Sequence, residues 1–127
     1  MKNKPRDINR LILEKMLGYC DTIEELVERF NRSFDLYVTD MAFQLSCNMC
    51  IIQLGELTTR LPDDFKTRHP EVPWNLIKAM RNIHTHDYER VDFKLMWHTL
   101  TAEIPELKKE LSAIIKELKE QSAPEKL

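Results

Sequence analysis

The sequence predicts an all-α fold, an antiparallel bundle of four to five helices, and three observations predict it. Two glycines and six prolines in 127 residues are too few for the tight turns that a strand-rich chain needs. Apolar residues recur at helical spacing over long stretches instead of alternating. The chain is 43% hydrophobic, enough for a core, and 31% charged, as expected of an ordinary surface. The length suits one domain, so residues 1–127 read as a single helical domain with no internal repeat, low-complexity tract or linker.

The first helix is expected from about Asp7, a candidate N-cap, to Phe30. Its apolar stripe comprises Ile8, Leu11, Ile12, Met16, Tyr19, Ile23, Leu26, Val27 and Phe30. A connection over about Asn31 to Val38 follows. The second helix, about Thr39 to Leu61, is apolar on most sides. Such a helix is central to a bundle or also meets a partner subunit, so a homodimer is expected. Gly55 inside it allows a close helix approach, and Glu56 beside it reads as a rim or hydrogen-bonded carboxylate.

Pro62 ends that helix, and Pro62-Asp63-Asp64-Phe65 can begin a short helical turn. After the proline-bracketed loop Arg68 to Trp74, Pro73 suits the first turn of a third helix. Its apolar side is Trp74, Leu76, Ile77, Met80 and Ile83. Asp92 reads as the N-cap of a fourth helix with Leu95, Met96, Leu100 and Ile104 inward. Pro105 kinks or restarts it, and Leu107, Leu111, Ile114, Ile115 and Leu118 continue the stripe. Residues from about 120 to 127 read as a disordered tail.

A formal net charge of -2 and a pI of about 6.1 exclude a general electrostatic nucleic-acid binder, so any attraction for RNA must be local. No apolar run is long enough for a membrane span, and the start of the chain leads into an amphipathic helix, not a signal-peptide core. Cys47-Asn48-Met49-Cys50 has C-x-x-C spacing without a second pair or a βαβ setting. Cys20, Cys47 and Cys50 read as small apolar residues of a reduced, cytoplasmic protein. A zinc site on Cys47, Cys50 and a histidine is a weak alternative. No metal or cofactor is expected, and His69 and His98 read as structural or surface residues.

The stretch Met80-Arg81-Asn82-Ile83-His84-Thr85-His86-Asp87-Tyr88 stands apart. It combines a fixed cation whose fork of donors matches a phosphate, an amide, two imidazoles that titrate near neutrality, and a phenol. That set suits phosphodiester chemistry without a metal. On a helix, Asn82 neighbours His86 and His84 neighbours Tyr88, while Arg81 and Tyr88 lie along one stripe. Arg81 and His86 are about 140° apart around the axis. One straight helix therefore does not pair them: the arginine bends across, the helix distorts, or a symmetry-related copy completes the site. The alternative for the same residues is a solvated helix end whose histidines complement the dipole.

At these residues the chain resembles the HepT-like toxins of the HEPN superfamily. The signature is an arginine, four to six residues, then a histidine; here it is Arg81, Asn82-Ile83-His84-Thr85 and His86. The HepT-like subset adds a tyrosine two residues later, Tyr88, and a polar residue after the arginine, Asn82. The flanks His69-Pro70-Glu71-Val72-Pro73-Trp74, Gly55-Glu56 and Ile104-Pro105-Glu106-Leu107 are similar too. His84 is a departure, adding a second imidazole inside the signature.

The resemblance implies a HEPN-like bundle and a metal-independent endoribonuclease, the toxin of a toxin–antitoxin pair. Its partner would be a nucleotidyltransferase antitoxin of the MntA type that silences it by AMPylating Tyr88. On that reading RNA is cleaved by its own 2′-hydroxyl, with His86 as general base or acid, Arg81 on the phosphate, Asn82 orienting His86, and His84 secondary. The rival expectation is a non-catalytic helical adaptor that binds a nucleotide or a nucleotidyltransferase.

Overall fold

Among the described residues, four longer helices and three short ones build the fold. The computed structural model describes residues 5–86 and 92–122, and side chains within 7–82 and 92–121. Helix α1 spans Pro5–Arg29, α2 Phe34–Thr39, α3 Met41–Thr59, α4 Asp63–Arg68, α5 Trp74–His86, α6 Phe93–His98 and α7 Ile104–Ser122. A π-helical turn over Thr99–Glu103 joins α6 to α7. No strand occurs among the described residues, and the all-α expectation holds.

Helix α1 begins before the expected cap, at Pro5, and Asp7 lies in its first turn. Proline is pre-organised for the start of a helix, and an acidic side chain there complements the dipole. The helix inserts Leu13, Met16, Cys20, Ile23 and Val27 into the core, whereas Ile8 and Leu11, expected in the stripe, are exposed. It ends in a Schellman arrangement: Arg32 N–H donates to the Val27 carbonyl at 2.8 Å and Asn31 N–H to that of Glu28 at 3.0 Å. Asn31 and Arg32 take φ of 60° and 51° to make this turn; asparagine is among the few non-glycine residues that adopt it readily.

The segment expected to be a connection holds α2. Ser33 caps it, its Oγ accepting from Leu36 N–H at 3.1 Å, and Asp40 then caps α3 by accepting from Phe43 N–H at 2.9 Å. The helix exists to place Tyr37, which is fully buried. Its ring meets Phe43, Phe93 and Trp97 edge-on or tilted, and its hydroxyl donates to Asn48 Oδ1 at 3.4 Å. The partner answers the cost of burying a hydroxyl. Phe30 stacks on Phe43 at 4.3 Å, so aromatic rings fasten α1, α2, α3 and α6 together.

Helix α3 packs against both α1 and α5, and α1 also packs against α7. A helix in that position is apolar on more than one side, as its sequence is. Helix α4 follows Pro62 and buries Phe65. The proline loop is closed by Trp74, whose Nε1 donates to the carbonyls of His69 at 3.0 Å and Lys66 at 3.2 Å. This anchor sets where α5 starts. Ile77 is buried but Leu76, also expected inward, is 62% exposed.

Asp92 caps α6 as expected, accepting from Lys94 and Leu95 N–H. Leu95 points outward while Met96 is buried, a correction to the inward set. The effect of Pro105 is a widened turn: Ile104 N–H bonds back to the Thr99 carbonyl, five residues earlier. Proline has no N–H and crowds the carbonyl four residues before it, so a π turn just ahead lets the chain run on into α7. That helix continues to Ser122, so residues 120–122, expected to begin a tail, are helical. Among the described residues no helix is long and apolar enough to cross a membrane.

Candidate active site on helix α5

Two consecutive residues of α3 place the arginine of the motif. A methyl group on Gly55 would stand 2.5 Å from the Arg81 Cβ and 3.1 Å from the Ile77 carbonyl oxygen. Real side-chain carbons do not approach so closely, and glycine is the residue that admits another backbone here. The next residue, Glu56, reaches the arginine head: Arg81 Nη1 donates to Glu56 Oε1 at 2.9 Å. On its other edge, Arg81 Nε and Nη2 donate to Asn82 Oδ1 at 3.4 and 3.3 Å.

The stem of Arg81 is therefore held by α3 packing, and the acceptors its head reaches include two of different kinds. Glu56 is a charged acceptor at short range, whereas Asn82 is a neutral one at long range. Charge-assisted bonds are about twice as strong as neutral ones. The Arg81 side chain is 25% exposed and Glu56 44%, so the pair lies at the surface where an anion can reach it. A surface ion pair contributes little when both side chains must be immobilised for it; here helix packing has already ordered the arginine stem.

The structure thus brings Arg81 and Asn82 together and adds Glu56. His84 and His86 belong to the last turn of α5, and their side chains lie outside the described residues. So does Tyr88 altogether. Glu56 fits the hydrogen-bonded carboxylate expected of it; its partner, 25 residues away, could not be read from local spacing.

A second surface lies on the same side of α3. Met41, Leu45 and Met49 are 68, 52 and 54% exposed and recur every four residues. Leu45 and Glu56 are eleven residues apart, within about 20° of each other around the axis. The apolar stripe consequently runs along the helix toward the Glu56–Arg81 pair.

The cysteines face the opposite way chemically. All three are buried free thiols. Burial pushes Cys20 and Cys47 up to about 12, and raises Cys50 as well. A thiolate is the form that binds metal or attacks, and this environment favours the neutral thiol. Among the described residues no group of three or more histidine, cysteine, aspartate or glutamate side chains could hold a metal ion.

The family model for the HepT-like ribonucleases ("Ribonuclease HepT-like") matches residues 16–114, a span that includes both Glu56 and the whole Arg81–Tyr88 motif. This chain belongs to the HepT-like ribonuclease family. A Methanocaldococcus jannaschii protein named "Putative RNase MJ0125" is 30% identical over 115 residues, 91% of this chain and 97% of its own. One from Caldanaerobacter subterraneus subsp. tengcongensis, "Putative RNase TTE0752", is 33% identical over 110 residues, 87% and 96% of the two chains. The "Probable ribonuclease HepT" of Thermococcus cleftensis is 36% identical over 86 residues, 66% of this chain and 78% of its own. No solved structure matches this chain at a significant level. Membership in the family agrees with the resemblance carried by Arg81, Asn82, His86 and Tyr88.

Proposed function

We propose that this protein is a metal-independent endoribonuclease and the toxin of a toxin–antitoxin pair. The observation that carries the reading is the fixed guanidinium of Arg81, presented at the surface in a chain of a ribonuclease family. A guanidinium matches a phosphodiester by fork geometry and offsets the charge that builds on phosphorus in the transition state.

In the proposed reaction the RNA 2′-oxygen attacks the adjacent phosphorus and the bond from phosphorus to the 5′-oxygen breaks. The 2′-hydroxyl proton goes to a general base and the leaving 5′-oxygen takes a proton from a general acid. The products are a 2′,3′-cyclic phosphate and a free 5′-hydroxyl. His86 is the base or acid, Asn82 orients it from one turn back, and His84 is secondary. A homodimer supplies two motifs, hence both a base and an acid. The exposed stripe Met41–Leu45–Met49 supports a subunit contact beside the site.

Silencing is assigned to a nucleotidyltransferase antitoxin of the MntA type that transfers AMP to Tyr88. Tyr88 follows Arg81 by seven residues in the sequence, and a bulky anionic adduct on it would block the phosphate site and compete for the arginine. The protein would act in the cytoplasm, and residues 1–127 would form one functional domain. The test is incubation with RNA in EDTA followed by analysis of the new ends. Cyclic phosphate and 5′-hydroxyl ends are expected; intact RNA, with nucleotide or nucleotidyltransferase binding retained, would instead indicate an adaptor.

A further inference from the structure

We propose that the groove between α1 and α3 is a second binding site for RNA, one that holds a single-stranded segment away from the bond that is cut. The inference rests on the nuclease reading above. It adds a surface on the α1 side of α3, whereas Arg81 meets α3 from α5.

Two stripes at helical spacing face each other across this groove. Helix α1 contributes Lys15, Gly18, Tyr19 and Thr22, and α3 contributes Gln53, Leu57 and Arg60. The space is about 490 Å³, within the range of pockets that hold small ligands. Gly18 opens it. This glycine has no positive φ, and a methyl group built on it would meet nothing within 4 Å. Neither a turn nor a close helix approach explains it, in contrast to Gly55. Inside a helix, glycine is unfavourable relative to alanine. What the missing side chain supplies is room in the middle of the α1 stripe.

The lining suits a polyanion with exposed bases. Lys15 and Arg60 are exposed cations, and no carboxylate lines the groove. Among the described residues neither cation forms an ion pair. Neighbouring carboxylates are engaged elsewhere: Glu14 with Arg10 at 3.7 Å, Glu56 with Arg81 at 2.9 Å and Asp63 with Lys66 at 3.6 Å. A chain of net charge -2 must attract RNA locally, and two cations clear of carboxylates do so. One turn from Lys15, the half-buried Tyr19 packs against the core. A ring held in this way is a platform for a stacked base, whatever the base. A duplex keeps its bases stacked on one another, so the ring selects single strands.

The groove lies beside the arginine of the motif. Gln53 precedes Glu56 by three residues and Arg60 follows it by four, so all three project from one side of α3. From that side Glu56 reaches Arg81. The groove and Arg81 are therefore separated by about 10 Å, the width of one helix. A strand with its scissile phosphate on Arg81 carries neighbouring nucleotides across α3 to Lys15 and Arg60.

The experiment measures binding of an unstructured RNA strand with 2′-O-methyl riboses, which cannot be cut by 2′-oxygen attack, by fluorescence anisotropy over a range of salt. Wild type is compared with Gly18→Glu, which fills the groove with a carboxylate, and with Arg60→Gln, each checked for wild-type helical content. Gly18→Glu covers the Tyr19 ring; a stacked base is worth about 5- to 150-fold in affinity, and a loss within that range is expected. Arg60→Gln removes one phosphate contact and is expected to lower the slope of log K against log salt by about 0.7. In cleavage, Gly18→Glu raises KM for an unmodified strand with kcat little changed. Its cleavage of a dinucleotide, too short to reach the groove, matches wild type. Wild-type strand affinity in Gly18→Glu, or a wild-type salt slope in Arg60→Gln, overturns the proposal. So does an equal loss for strand and dinucleotide in Gly18→Glu, which would place the effect in the fold. If Gly18→Glu fails to fold, Arg60→Gln decides through its salt slope. Failure of wild type to cut RNA would sink the nuclease reading, while the binding measurements still decide the groove; a wild type that binds no strand overturns it.

Discussion

Gly55 and Arg81 meet so closely that one added methyl group on the glycine would lie 2.5 Å from the arginine Cβ. This contact links the packing of α3 on α5 to the placement of the guanidinium. Gly55→Ala must push the helices apart or tilt the arginine. Overpacking of this kind costs about 1–3 kcal/mol. The expected outcome is a lower melting temperature together with reduced RNA cleavage. A variant that melts and cleaves like wild type would show that the approach has no structural or catalytic weight.

The exposed stripe on α3 gives a second prediction. Leu45→Glu or Met49→Lys removes apolar surface at positions 52 and 54% exposed, where the isolated fold has little to lose. Light scattering is expected to report a dimer for wild type and a monomer for the variants, with helical content unchanged. A monomeric wild type would remove the two-subunit site from the account.

The buried thiols predict a response to alkali. Cys20 and Cys47 are raised from 9.0 to about 12 by burial. The unfolded chain loses those protons above about pH 9, whereas the folded chain keeps them until about pH 12. The unfolded state binds fewer protons across that window, so stability falls as pH rises through it. The melting temperature should decline there, and less steeply in Cys47→Ala after allowance for the lost packing. Iodoacetamide at neutral pH should leave all three cysteines unmodified in the folded protein and label them on denaturation.

Tyr88→Phe separates toxicity from silencing. The variant keeps the ring and loses the hydroxyl that would accept AMP. It is expected to cleave RNA as wild type does and to gain no mass of AMP when incubated with ATP and an MntA-type nucleotidyltransferase. Adenylylation of the variant elsewhere in the chain would move the regulatory site.

Much of this architecture is legible in the sequence because its signals are local. Asp92 reads as a cap, Pro62 as a stop, and Gly55 as a place for close approach. What is not legible depends on distant partners. Phe34–Thr39 lacks the length to show periodicity, and its helix is secured by Tyr37 entering an aromatic cluster assembled from α3 and α6. Leu76 and Leu95 are apolar by type, but each sits about 100° from its buried neighbour, Ile77 or Met96. Pro105 announces a break without announcing its form. At the candidate site the motif Arg81–Asn82–His86 is visible in one dimension; the Glu56 contact exists only once α3 and α5 have packed.

The most direct test of the central claim is cleavage of RNA in EDTA by wild type, Arg81→Ala and His86→Ala, each verified as folded. General acid–base catalysis contributes about 10²–10⁴-fold, and loss of a transition-state donor costs about 10²–10³-fold. Wild type is therefore expected to produce cyclic-phosphate ends, and both variants to lose at least about 10²-fold of that rate. Full activity in both variants would contradict the account.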